Sequence, residues 1–281
     1  KKPTTETTQQ YLESFGFNNE TFANQFFYPF INASWGIDES NSEGNLPRDG
    51  KDFLAIYTMY YMAAQNTYFE INGGLSSYIN KIHDLIKDKC NIHLNSEITT
   101  ITKINDKYLI NDEYYDDVII CASMEVINQL VPSNYLQDVS YYTTNIVIHE
   151  NDNPEFDKDS IIHIKKRGKR ASLHVNKKWN SKLTRSWLYN DEEEPQNVHM
   201  RIKYRHPNMN AAYYIAQEKL KEHNNLASGI MFGGICAGFN DSHESALTAS
   251  IEITKLLATK YNTNINKLNI FQQPKYTSFC C

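Results

Sequence analysis

The sequence predicts a mixed α/β (α+β) fold, and three observations carry that prediction. Ser228 to Leu257, SGIMFGGICAGFNDSHESALTASIEITKLL, reads as a short buried strand over Gly229–Phe232, a tight glycine turn and a long helix. The run DVIIC, Asp117 to Cys121, is short and continuously apolar, as a strand buried in a parallel sheet is. From Val139 to Tyr204 the texture changes to strands separated by NDNPEFD, KRGKR, NKKWN and DEEEPQN, the pattern of an antiparallel sheet.

Taken in order, residues 4–16 and 18–30 read as helices with Tyr11, Leu12, Phe15, Phe22, Phe26 and Phe27 on apolar faces, and Pro29 ends or kinks the second. GIDESNSEGNLPRDG, 36–50, reads as an exposed loop, and 52–64 as a helix burying Phe53, Leu54, Ile56, Tyr57, Tyr60 and Tyr61. Thr67–Ile71 is a candidate strand that delivers Asn72, Gly73 and Gly74. A helix is expected over Leu75–Lys87, with Leu75, Tyr78, Ile79, Ile82, Leu85 and Ile86 apolar. Strands are expected at Ile92–Leu94, Glu97–Ile104, Lys107–Ile110 and Asp117–Cys121, with NDK at 105–107 as a hairpin turn. Met124–Leu130 reads as a helix ended before Pro132. The antiparallel strands are placed at Tyr141–Ile148, Ser160–Lys165, Ala171–Val175, Arg185–Tyr189 and Val198–Tyr204. A helix follows at Ala211–His223 with Tyr214, Ile215 and Leu220 inward. This order of textures suggests two interleaved units with boundaries near 70, 123 and 224.

The 281 residues contain only 11 glycines, roughly half the usual ~7%. Six of them fall at Gly73–Gly74 and in the cluster Gly229, Gly233, Gly234 and Gly238. Such clustering marks two places where backbone must approach something closely. A strand ending in glycines before a helix N-terminus presents unpaired N–H groups at the positive end of a dipole, which suits a phosphate or a polar cofactor edge. The same pattern also serves as a plain strand–turn–helix connection. Asp241 and Glu244, at capping-box spacing, favour that plainer account, because they satisfy the helix end themselves and repel a phosphate there. Along the helix, Ala246, Leu247, Ala249, Ile251, Ile253, Leu256 and Leu257 form a broad apolar face.

Composition bounds the function. Apolar residues make up 41% and charged residues 22%, ordinary for a globular protein, and the net charge of -5 leaves no nucleic-acid footprint. No apolar run approaches the ~20 residues of a membrane span, and KKPTTETTQQ lacks the apolar core of a signal peptide. Five widely spread cysteines argue against a disulfide framework. Cys90, Cys121 and Cys236 sit in apolar runs and read as buried reduced thiols, which places the chain in the cytoplasm. Cys280–Cys281 reads as an ordinary tail rather than a lipid attachment point, and the basic run 165–170 as a solvated hairpin tip. The sequence has no H-E-x-x-H, no C-x-x-C metal spacing, no P-loop and no Ser-His-Asp pattern, which disfavours metal chemistry and nucleotide hydrolysis.

The runs EINGGLSSYINKIHDLI, NIHLNSEITTITKINDKYLIN and DDVIICASMEVINQL, with the closing SGIMFGGICAGFNDSHESALTASIEI, resemble a flavin-dependent amine oxidase-like protein. The resemblance is strongest to a bacterial branch of predicted NAD/FAD-binding proteins. It spans about Tyr11 to Leu257 and includes Gly238, Phe239, His243, Glu244, His149, Trp187 and His206–Pro207. It implies the C-terminal two-thirds of a two-domain FAD/NAD(P)-binding fold. The implied parts are 1–70, helical part of the substrate domain; 71–123, an FAD-domain segment; 124–224, the substrate-domain sheet and helix; 225–260, the closing FAD-domain strand and helix; and 261–281, a tail.

In such a protein Gly73 and Gly74 open a helix beside the flavin, Ile98 lies on a strand along the adenine, and Ala122 ends a strand at the cofactor. Gly233, Gly234, His243 and Glu244 belong to the closing element at the flavin and pyrophosphate. His149, Trp187, Tyr189 and Tyr204 are then candidates to face a small-molecule substrate, although burial as packing residues accounts for each equally well. No G-x-G-x-x-G occurs in the 281 residues, so the resemblance assigns the dinucleotide-binding turn to a missing N-terminal unit. The position after Gly234 is Ile235, where most amine oxidases carry an acidic residue. The implied activity is FAD-dependent oxidation; the alternative is a scaffold or interaction module that kept the fold without flavin. The flavin account requires the corners at Gly73 and Gly234 to border one cavity.

Overall fold

The computed structural model describes residues 10, 13–14, 16, 71–150, 162–164, 171–174, 183–188, 194–239 and 243–264. The helices expected over 4–16 (apart from Gln10, Glu13 and Ser14), 18–30 and 52–64 lie outside the described residues. So do the loop at 36–50, the strand up to residue 70, the basic run, Tyr189, Asp241 and the terminal cysteines. The described chain is a mixed α+β structure with helices, two antiparallel sheets and one parallel strand pair. Among the described residues no helix is long and apolar enough to cross a membrane.

Helix α1 spans Leu75–Ile86 and starts at Gly74, whose φ of 77° and ψ of -179° only glycine adopts readily. A three-stranded antiparallel meander follows: β1 Thr102–Ile104, β2 Lys107–Ile110 and β3 Glu113–Tyr115. Its second turn is Asn111–Asp112, both at positive φ, the backbone that a two-residue hairpin favours. β3 was not expected from sequence. The expected strand over Glu97–Ile104 forms only at its end, and Ile92–Leu94 forms no strand, because neither segment has a ladder partner among the described residues.

Strand β4, Val118–Ile120, pairs in parallel with β10, Ile230–Phe232, through Val118 with Ile230, Ile119 with Met231 and Ile120 with Phe232. Between them run helix α2 Met124–Leu130, the short helix α3 Asn134–Gln137, strands β5 Tyr141–Glu150, β6 Ile162–Ile164, β7 Ala171–His174, β8 Leu183–Leu188 and β9 Val198–Pro207, and helix α4 Ala211–His223. β5 to β9 form an antiparallel sheet of order β6-β7-β8-β5-β9. Caps set the helix starts: Ser123 Oγ accepts from Val126 N–H at 3.4 Å, and Asn210 Oδ1 accepts from Tyr213 N–H at 3.2 Å.

One core joins these parts. Ile120, Phe232, Met124, Ile127, Leu136, Tyr142, Tyr213, Ala216, Leu220 and Ala249 bury together, so the parallel pair, α2, α3, α4, the root of β5 and helix α5 (His243–Lys260) share an interior. Three expectations need correction. Ile215 is exposed, because α4 buries the stripe Tyr213–Ala216–Gln217–Leu220 and Ile215 falls off it. Leu247 of α5 is exposed for the same geometric reason, opposite Ala249 and Ile253. Cys90 and Cys121 are exposed, the first just beyond α1 and the second at a strand end; of the three described cysteines only Cys236 is buried.

Candidate functional site

The carboxyl ends of β4 and β10 lie side by side, the place where open parallel sheets hold ligands. Beyond β4 come Cys121, Ala122 and Ser123. Beyond β10 come Gly233, Gly234 and a 3-10 turn at Ile235–Ala237. Gly234 has φ 69° and ψ -160°, the same glycine-only region that Gly74 occupies. The corner is clamped by its neighbours. Gly233 N–H donates to Ile120 O at 2.9 Å, Gln217 Nε2 to Ile235 O at 2.8 Å, and Cys236 Sγ to Ala122 O at 3.0 Å.

A cavity of about 320 Å³ opens beside this corner, lined by Cys121–Glu125, Ile235 and Cys236 on one side and by Tyr141, Tyr204, Arg205, Pro207 and Tyr213 on the other. That volume is near the low end of small-molecule pockets, ~300–1,000 Å³, and suits one ring-sized body rather than an extended dinucleotide. The walls are mostly apolar or aromatic. The Arg205 Nη1–Glu125 Oε1 ion pair at 2.7 Å supplies the charge, and the guanidinium lies 5.4 Å from the Tyr141 ring centroid. Tyr141 Oη is buried with no hydrogen-bond partner among the described residues. Burial first, and then the neighbouring Cys236, push its pKa up to about 12; the Glu125 N–H opposes the rise without meeting hydrogen-bond geometry. Burial also raises the Cys121 thiol, because Sγ is turned inward against Gly233 although the residue as a whole is exposed. Near neutral pH both groups stay protonated.

The expected site residues do not gather in one place. Ala122 and Tyr204 line the cavity, and Gly233 and Gly234 stand behind it. Gly73 and Gly74 do not line it. Their corner is filled in part by Ser77, whose Oγ donates to Gly74 O at 2.7 Å, and α1 reaches α5 through Tyr78 Oη and His243 Nε2 at 2.6 Å. The two corners therefore do not share this cavity. Glu244 is exposed in the first turn of α5, and that helix begins beyond the 3-10 turn rather than at the glycine pair. Ile98 is exposed in a segment outside any strand.

His149 and Trp187 are both buried, but pairing of His149 with Thr184 and of Ile146 with Trp187 puts them on opposite faces of the sheet. Trp187 shares its face with Tyr204, which pairs with Thr144. His149 Nε2 is hydrogen-bonded to Ser186 Oγ at 2.7 Å and Nδ1 to Glu150 O at 2.6 Å, and the residue does not line this cavity. Sequence reasoning missed Tyr141, Arg205, Glu125 and the cavity role of Cys121 and Cys236. The rule that ligands sit beyond parallel strand ends would have found 121–125 and 235–236.

The glycine cluster tests the fit of a flavin. A Cβ on Gly229 would meet the Tyr108 ring at 2.4–2.8 Å, one on Gly233 would meet Cys121 Sγ at 2.8 Å, and one on Gly238 would meet Ser245 Oγ at 1.8 Å. Those three glycines are therefore required by the chain's own side chains. At Gly234 the nearest atom would be 3.6 Å away, so its φ alone demands glycine. The corner at Ala122 and Ile235 leaves room for a flat ring, and among the described residues the lining of this cavity includes no second glycine turn for a pyrophosphate. Among the described residues no group of three His, Cys, Asp or Glu could hold a metal ion. No protein-family model matches the chain, and no curated protein matches its sequence.

Proposed function

We propose that this chain is the ring- and substrate-contacting part of an FAD-dependent oxidoreductase of the amine oxidase-like kind, with the dinucleotide-binding turn supplied by a further segment. One observation carries the proposal: β4 and β10, the strands that the resemblance sets against the flavin, pair in parallel and end together at the 320 Å³ cavity. Ala122 and Ile235, backed by the Gly234 turn, would hold the ring, and bound FAD would accept a hydride equivalent from the substrate. The chain's own part is orientation and exclusion of water: Tyr204, Pro207 and Tyr213 wall off the cavity, and the Arg205–Glu125 pair fixes polar groups at its rim. The free thiols of Cys90, Cys121 and Cys236 support a reducing, cytoplasmic setting for such an enzyme.

Two observations favour a second reading, a scaffold that kept the fold without flavin: the Gly73 corner does not line the cavity beside Gly234, as the flavin account requires, and the closing glycines have internal reasons. Three of the four glycines in the closing element are accounted for by internal packing. Titration with FAD, followed by flavin absorbance and by the melting temperature, separates the two. Uptake of flavin with a raised melting temperature supports the oxidoreductase. A colourless protein whose melting ignores FAD, even with the dinucleotide-binding segment present, leaves the scaffold.

A further inference from the structure

Strand β9 gives the antiparallel sheet two unlike faces. On one, Arg201, Lys203 and Arg205 stand opposite Val147, Asn145 and Thr143 of β5. On the other, Met200, Ile202 and Tyr204 stand opposite Ile148, Ile146 and Thr144. Met200 is 55% exposed there and Ile202 39%. Two rows of this second face continue across β5 to β8: Met200–Ile148–Arg185 and Ile202–Ile146–Trp187. A cation therefore stands at the end of an apolar row, beside a buried tryptophan. Its guanidinium carbon lies 4.4 Å from the Trp187 ring centroid.

An arginine set among apolar groups is ordinarily ion-paired, as its neighbours in the sheet are. Arg201 holds Glu194 and Arg205 holds Glu125, each at 2.7 Å. Among the described residues no carboxylate or carbonyl engages Arg185, and its Nε is sealed from solvent without an acceptor. Glu150, two positions beyond Ile148, is turned away: its carboxylate meets Asn197 Nδ2 at 3.1 Å and His199 Nε2 at 3.5 Å. Burial lowers the Arg185 pKa, and no neighbouring charge raises it again. A guanidinium stays protonated even so, and the face keeps an uncompensated positive charge. Such a charge is unfavourable for the chain alone. An acceptor arriving from outside relieves it, and the stack on Trp187 holds the guanidinium plane in place beforehand.

We infer that Arg185 and Trp187 form the head of a binding site for a small carboxylate with an apolar body. The carboxylate takes the Nη edge of Arg185, and the body lies along Ile148, Ile146, Met200 and Ile202. A carboxylate fits better than a phosphate group. Arg185 is the one lysine or arginine that β5, β8 and β9 place on this face, and a single fork pairs a single carboxylate. The site stands whether or not the chain takes flavin, since neither Arg185 nor Trp187 lines the cavity beside Gly234.

Octanoate is the probe, and octanol supplies the same apolar body without the charge. Each is titrated while the isoleucine and methionine methyl resonances are followed. Octanoate should move the Ile148 and Met200 signals and bind at least about tenfold tighter than octanol. Arg185→Gln should bring octanoate down to the affinity of octanol, and Arg185→Lys should restore only part, because an ammonium lacks the fork. Met200→Glu sets a competing carboxylate on the same face at an exposed position, and should weaken octanoate but not octanol. It decides the matter if the Arg185 variants fail to fold. Octanoate no tighter than octanol overturns the inference, as do shifts confined to Met124 and Ile235 of the 320 Å³ cavity. So does an octanoate affinity left unchanged by Arg185→Gln in a folded chain, or by Met200→Glu.

Discussion

Two regions of this chain use the same amphipathic grammar with opposite results. The region around β4, β10, α2 and α4 buries its apolar side chains almost completely: Ile127, Leu220, Met231 and Phe232 are at most 1% exposed. The region from Ile71 to Tyr115 has apolar residues at equally regular spacing, yet α1 buries none of its residues and leaves Leu75, Ile79, Ile82 and Leu85 about half exposed or more. Periodicity states which face of a helix is apolar; it does not state that a partner is present. Tyr108 of β2, buried against Gly229, and Ile101, packed on the core, join the two regions.

The largest expected effect separates the regions directly. Phe232→Ala removes a fully buried ring and should cost about 3–5 kcal/mol. Leu85→Ala, on the exposed stripe of α1, should stay within about 0.5 kcal/mol. Urea denaturation of each variant measures both. A loss of about 2 kcal/mol or more at Leu85 would mean that the stripe is covered in solution, and the contrast between regions would collapse.

The joint between the regions comes next. Gly229→Ala drives a methyl group into the Tyr108 ring, an overpacking expected to cost about 1–3 kcal/mol. Adding Tyr108→Ala should recover part of that loss, because the clash disappears with the ring. Strict additivity of the two substitutions in a double-mutant cycle would show that Tyr108 does not fill the Gly229 notch.

How much was legible in the sequence follows the same division. DVIIC and GIMF were readable as strands of a parallel sheet from their continuous apolar runs, and they do pair in parallel, although Ile119 is exposed rather than buried. α2 and α4 were readable to the residue because Ser123 and Asn210 mark their starts. β3 was missed because its turn, Asn111–Asp112, lacks the glycine that usually announces a two-residue hairpin. The site was half legible. Ala122 and Tyr204 reach the cavity, while Tyr141, Arg205 and Glu125 converge there only through the β5–β9 pairing and the approach of α2, contacts that no local pattern encodes. The glycine cluster pointed to close approach correctly but not to its object, since Tyr108, Cys121 and Ser245 are the approaching groups in three of four cases.

Asn224 offers a sharper probe of the buried region, because its clamp on Phe232 needs both a donor and an acceptor. Asn224→Asp keeps the acceptor and, when ionised, loses the donor, which should cost about 1–3 kcal/mol near neutral pH. The folded state then favours the protonated acid, whose O–H again donates to Phe232 O, so the folded-state pKa of the new carboxyl is raised. Its deficit should therefore shrink as pH falls toward the ordinary carboxylate range, measured against the unsubstituted chain at each pH. A deficit that is flat between neutral and acid pH would show that the clamp does not depend on the donor.

The smallest effect lies at the cavity wall and reads the buried region from its other end. Tyr141 has its phenol raised from 10.0 to about 12, chiefly by burial. The unfolded chain therefore loses this proton first. The contribution of the phenol to stability is complete below the unfolded value and is lost as pH rises through 10 toward 12. Tyr141→Phe keeps the ring under Arg205 and removes the titrating group, and the Oη it deletes has no hydrogen-bond partner among the described residues. The variant should match the unsubstituted chain near neutral pH and fall off less steeply in alkali, followed as melting temperature against pH. Parallel curves for the two proteins up to the alkaline limit would mean that solvent reaches Tyr141 as freely as it reaches the α1 stripe, and that the wall is open there.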